Sequence, residues 1–183
     1  MTFVTAKQPI LQFLFLGIAE VVICSAAHGQ NAQTILYKIP EAGIQINLPA
    51  GWEVSKDANG NHLIMKKDGD SYVVLAMSVI PREPSMTIDV VYALFSEGVL
   101  KNAKRDWKGF KAGEIMKDTQ NGMAVRAQKI DGTFADEGGE LEGLVIVIDA
   151  SKPFGIFAQR TKKLSEAVAK ESSDILSSIK KTQ

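Results

Sequence analysis

Cysteine is all but missing from this chain: Cys24 is the only one in 183 residues. Histidine is nearly as scarce, with His28 and His62 the only two. Beyond the N-terminal segment a Cys–His pair therefore has no cysteine to use. A Ser-His-Asp arrangement would have to recruit His62, which lies beside a turn and has no Gly-x-Ser-x-Gly elbow to go with it. Net charge is missing too, since Lys plus Arg and Asp plus Glu both number 21. A nucleic-acid binder carries a basic excess that displaces counterions, and this chain has none to offer. Neither a Walker loop nor Gly-x-Gly-x-x-Gly occurs, so no phosphate cradle and no cofactor site is expected. The apolar stretch that starts at Ile10 is interrupted by Glu20, which makes a membrane anchor the weaker reading of it.

The first thirty residues nevertheless differ in kind from the rest. Lys7 precedes an apolar centre, Ile10 to Ala19, followed by Val21-Val22-Ile23 and the small residues Ser25, Ala26, Ala27 and Gly29. A charged start, a short apolar core and a small-residue cut site are the marks of a secretory signal peptide. Residues 1–29 are read as that peptide, cut after Ala27 or after Gly29. Ile23 stands where a lipoprotein signal wants a small residue before its cysteine, which disfavours lipidation of Cys24. The expected location is periplasmic or secreted, with no stable membrane span in the mature chain and no disulfide to staple it. The mature chain has to be held by its core, and a hydrophobic content of 45% suffices for that.

Residues 30–183 read as a single domain. Leu144-Val145-Ile146-Val147-Ile148 is an unbroken apolar run of strand length, continued after a turn by Phe154-Gly155-Ile156-Phe157-Ala158. A strand wetted on one face alternates apolar and polar residues, whereas one buried on both faces does not. Ile44, Ile46 and Leu48 show the alternating pattern, and Tyr72 to Ile80 form a second nearly continuous strand. Asn59-Gly60, Asp68-Gly69 and Asn121-Gly122 predict hairpin turns. From Ile88 the period changes: Ile88, Val91, Phe95, Val99 and Ala103 line one helical face, with Thr87 as N-cap. Gly98 inside that helix predicts a close approach to the sheet. Leu164, Val168, Ile175 and Ile179 predict a closing helix. The pattern is α+β: an antiparallel β-sheet sandwiched by helices on both faces.

Several groups invite a functional reading. Asp57, Asn59 and Asn61 alternate like the start of a calcium loop, but the glycine falls at position 60, where hairpin chemistry explains it. Asp131, Asp136, Glu137, Glu140 and Glu142 surround a glycine-rich loop and are the candidate metal ligands, against the plainer reading of a solvated hairpin tip. Lys101, Lys104, Arg105 and Lys108 make a basic stripe at helical spacing that suits an acidic partner or an anionic surface, or simply the helix dipole. Trp52 at a turn is a candidate partner contact, since exposed aromatics mark such sites.

The order of elements, with particular residues, resembles the PsbP-like fold and the small exported bacterial proteins that share it, including the DcrB-like group. The matching pieces are Gly43-Ile44-Gln45-Ile46-Asn47-Leu48-Pro49-Ala50-Gly51-Trp52, the Phe154-Gly155-Ile156 strand, and the ending Ser173-Asp174-Ile175-Leu176-Ser177-Ser178-Ile179-Lys180. Members of that fold dock on photosystem II, bind the GTPase Ran or act as adaptor chaperones. The resemblance implies a non-enzymatic, exported accessory or protein-binding module of the bacterial cell envelope, engaging an envelope protein through a sheet edge or loop ends. It assigns no binding residues. The alternative expectation is a small-molecule carrier or sensor with a pocket between helix and sheet.

Overall fold

A computed structural model describes residues 34–134 and 139–182. The expected signal peptide, with both cleavage positions, lies outside the described residues, as do Asp136 and Glu137. Five strands come first among the described residues: β1 (Ile35–Ile39), β2 (Ile44–Leu48), β3 (Glu53–Lys56), β4 (His62–Asp68) and β5 (Ser71–Val79). Helix α1 (Ile88–Asp106) leads straight into β6 (Trp107–Gln120), then β7 (Met123–Phe134), β8 (Glu140–Asp149) and β9 (Pro153–Thr161). Helix α2 (Glu166–Ser177) and the short β10 (Lys180–Lys181) follow. Every pairing is antiparallel.

The strands form two sheets, a seven-stranded one ordered β3-β4-β5-β9-β8-β7-β6 and a three-stranded one ordered β1-β2-β10. The apolar run lies on β8, an interior strand, and its side chains divide between two cores. Val145 and Val147 join Val91 and Tyr92 of α1, together with Ile130 and Leu141. Ile146 and Ile148 join Ile44, Ile46 and Leu48 of β2, and Val168 and Ile175 of α2. Burying each such side chain contributes about 1.5–3 kcal/mol relative to exposure. The architecture is thus mixed α+β, mostly antiparallel. The expected single sheet sandwiched by helices is not what the strand order gives. The first hairpin leaves the main sheet and stacks over it, because the buried side chains of β2 belong to the same core as Ile146. The second face is closed by this small sheet together with α2.

Local chemistry explains the boundaries. Thr87 Oγ1 accepts the Val90 N–H at the start of α1, and Ser165 Oγ accepts the Val168 N–H at the start of α2. Asp57 Oδ1 accepts the N–H groups of Asn59 and Asn61, so the calcium-like spacing is a side-chain-closed turn. Asp68 takes a different part, accepting the Ser165 N–H at 2.6 Å. The Asn121-Gly122 turn meets the end of α2. Gln120 Nε2 donates to Leu176 O in the last turn of the helix and Asn121 Nδ2 to Ile179 O just beyond it, both at 2.7 Å. Gly98 does not approach the sheet. It is exposed, and a Cβ there would meet nothing within 4 Å.

Candidate partner-binding edge

Among the described residues strand β6 is one edge of the large sheet, hydrogen-bonded to β7 alone. Edge strands offer a row of unpaired backbone groups to another chain, and proteins usually blunt them with lysines and bulges. The first half of β6 does both. Lys108 and Lys111 are exposed, and the register with β7 shifts between Lys108 and Lys111 and again between Ala112 and Ile115. Gly109, at φ 62°, lies inside the first irregularity. The second half keeps one exposed lysine, Lys117, but has no bulge. From Ile115 to Gln120 the pairing runs without a break, and it opens on two consecutive apolar residues that point to opposite faces. Ile115 is 49% exposed and Met116 52%.

The helix extends this surface. Lys117 Nζ lies 3.4 Å from Asp89 in the first turn of α1, and Arg126 Nε donates to the same carboxylate at 2.5 Å. The Arg126 hydrogen bond first of all, then the charges of Arg126 and Lys117, hold the Asp89 carboxyl below its usual range. Val90 beside it and Leu94 one turn on are both exposed. The Ile115 end of the edge therefore carries apolar side chains from two elements. At the other end α1 runs directly into β6, and Lys101, Lys104, Lys108 and Lys111 are exposed, with no ion pair among the described residues.

The residues singled out from sequence distribute as follows. Lys101, Lys104 and Arg105 are on α1, but Lys108 is on β6, because the helix ends at Asp106. Trp107 closes that helix in extended conformation with its N–H on Ala103 O. Arg105 is spent on its neighbour, donating to Asp106 through Nε and Nη2 at 2.7 and 2.9 Å. Trp52 is buried in the core, and its Nε1 donates to Glu171 Oε2 at 2.8 Å.

Of the acidic group, Asp131 pairs with Lys162 at 3.4 Å, and Glu140 lies exposed at the start of β8. Glu142 is held by Lys129 and Arg160. Burial would raise the Glu142 carboxyl, but the hydrogen bonds and charges of those two cations outweigh it and bring it below the usual range. Among the described residues no three His, Cys, Asp or Glu side chains gather as a metal site would need. His62 is buried, with Nδ1 2.5 Å from the Tyr37 hydroxyl. Ile115 and Met116 were not apparent as a site from sequence. Their signal is two adjacent apolar residues inside a lysine-rich stretch, where a half-buried strand would alternate.

No family model and no curated protein matches the sequence. Solved structures do. Cyanobacterial PsbP (CyanoP) from Synechocystis sp. PCC 6803 superposes with TM-score 0.53 at 15% identity, covering 85% of this chain and 97% of its own. LpqN, involved in cell envelope biogenesis of Mycobacterium tuberculosis, superposes more loosely. Its TM-score is 0.49 at 14% identity, over 97% of this chain and 99% of its own. The first of these shows the fold: it is PsbP-like.

Proposed function

We propose that this chain, built on a PsbP-like fold, is an exported, non-enzymatic accessory module of the bacterial cell envelope that binds another protein along the β6 edge. The observation that carries the reading is the unbulged half of that edge, where Ile115 and Met116 expose apolar surface on both faces of a strand that, among the described residues, is paired on one side only. An extended segment of the partner adds to the edge through main-chain hydrogen bonds, and its side chains meet Ile115 on one face and Met116 on the other. The lysines at the far end favour a segment with acidic residues on that side. The signal-peptide pattern of residues 1–29 supports export, and among the described residues no helix is long and apolar enough to cross a membrane.

The test is affinity capture from envelope extracts with crosslinking, using the natural chain and the Ile115→Lys/Met116→Lys variant side by side. A partner retained by the first and lost by the second supports the reading. A partner retained equally by both, or none retained by either, overturns it.

A further inference from the structure

A cavity of 130 Å³ lies between helix α2 and the large sheet, on the face of the sheet opposite α1. Cavities near 150 Å³ in other proteins accept a benzene molecule. Val73 and Leu75 of β5, Leu144 of β8, Ala158 of β9 and Leu176 of α2 make its apolar wall. Its polar side is Lys129, Glu142 and Arg160, on three neighbouring strands. They share a face because Lys129 is opposite Leu144 and Glu142 is opposite Arg160 in the ladder.

One carboxylate there serves two cations. Lys129 Nζ is 2.6 Å from Glu142 Oε1, while Arg160 donates Nε and Nη2 to Oε2 at 2.9 and 2.7 Å. The trio keeps one positive charge, and Arg160 Nη1 has no acceptor among the described residues. The adjoining Lys162–Asp131 pair is neutral by itself. An anion can therefore be added at the rim without displacing Glu142, and charge-assisted hydrogen bonds are the strong ones.

We infer that this cavity binds a small amphipathic monocarboxylate, with a ring or short alkyl body against Leu75, Leu144, Ala158 and Leu176 and its carboxylate on Arg160 and Lys129. A neutral body of the same shape leaves the positive charge unmatched. A compact inorganic anion leaves the apolar wall empty. Glu142 orients the two cations and also competes with the ligand for them. This site is independent of the β6 edge, so either assignment stands or falls without the other.

The test is a titration of the purified protein followed by amide NMR at Leu144, Ala158 and Ser173. The probes are sodium benzoate and hexanoate, with benzyl alcohol, hexanamide and inorganic phosphate as controls. The carboxylates give saturable shifts in the millimolar range or below, and the neutral analogues bind about ten-fold more weakly or worse. Phosphate gives no saturable shift. Arg160→Gln weakens carboxylate binding about ten-fold. Glu142→Gln strengthens it several-fold by removing the competitor, an effect a purely structural ion pair would not produce. Ala158→Leu fills the cavity and abolishes binding; should that variant fold poorly, Ser173→Phe on the exposed side of α2 obstructs the mouth instead. The inference is overturned if neutral and anionic probes bind alike, if Arg160→Gln binds as the natural chain does, or if neither carboxylate gives saturable shifts.

Discussion

Gly155 and Phe95 occupy one space between sheet and helix: a Cβ on Gly155 would stand 2.6 Å from Phe95 Cε2 and 2.7 Å from its Cζ. The absent side chain is what lets α1 settle on β9. Gly155→Ala therefore forces Phe95 or the helix to move, and overpacking of this kind costs about 1–3 kcal/mol. Gly98→Ala runs the other way. Its Cβ points into open space, so the better helix former stabilises by up to about 1 kcal/mol. Urea denaturation of both variants checks the pair, with opposite signs expected.

Trp52 and Glu171 lie 119 residues apart in sequence and are joined by the indole N–H. Lys66 Nζ reaches the same carboxylate oxygen at 2.6 Å and lies 6.0 Å from the centre of the Trp52 ring. The three groups pin the β3–β4 hairpin to α2. Trp52→Phe keeps most of the apolar burial and loses the hydrogen bond, at a cost of about 1 kcal/mol, low because Glu171 stays partly wet. A double-mutant cycle with Glu171→Ala, which removes the acceptor, should return a coupling of similar size. Simple additivity would show that the bond contributes nothing.

His62 makes stability depend on pH. Burial lowers its pKa from the ordinary 6.5, with the Lys56 charge adding to the effect and Glu41 opposing it. With the imidazole neutral and its proton on Nε2, the Tyr37 hydroxyl donates to Nδ1; with the proton on Nδ1 the ring donates to the hydroxyl. The unfolded chain then takes up its proton at a higher pH than the folded chain. Stability contributed by neutral His62 is full above pH 6.5 and declines as pH falls from there towards the folded-state value, below which the loss is complete. Melting temperatures of the natural chain and of His62→Gln, measured from pH 7.5 down to 5, check this. The natural chain should lose stability more steeply through that range.

The edge substitutions should leave the fold alone. Ile115 and Met116 are half exposed, and surface changes away from packed contacts usually stay within about 0.5 kcal/mol. Ile115→Lys/Met116→Lys should melt within a few degrees of the natural chain, and its solubility should rise, because an exposed apolar edge invites self-association. A large fall in melting temperature would mean that these side chains serve the core and not a partner.

Much of the fold is legible in local pattern. The alternation of Ile44, Ile46 and Leu48 marks β2, the unbroken run to Ile148 marks an interior strand, and Thr87 marks where α1 begins. Each depends on residues close in sequence. What local pattern does not carry is the choice between extending a sheet and stacking on it. Ile44 and Ile46 alternate identically in either case, and their meeting with Ile146 and Ile175 decides it. The two-residue β10 is too short to have a pattern at all; it exists because Lys180 and Lys181 pair with Gln45 and Ile44. Lys108 falls at helical spacing from Lys104, yet extended Trp107 ends the helix first. The Lys129–Glu142–Arg160 trio depends on the register of three strands, so nothing close in sequence shows that Glu142 faces two cations. The β6 edge is hidden for a similar reason. Which strand ends a sheet is a property of the strand order, while the sequence of β6 shows only that lysines and glycines crowd its first half.

The most direct measurement is site-specific photo-crosslinking in the native envelope, with the reactive side chain placed at Ile115, at Met116, and at Val54 on the opposite edge strand β3. A partner bound along β6 gives one discrete adduct, the same protein from Ile115 and from Met116, and nothing comparable from Val54. No adduct from either β6 position, or the same adducts from Val54 as from Ile115, would contradict the assignment of the β6 edge as the working surface.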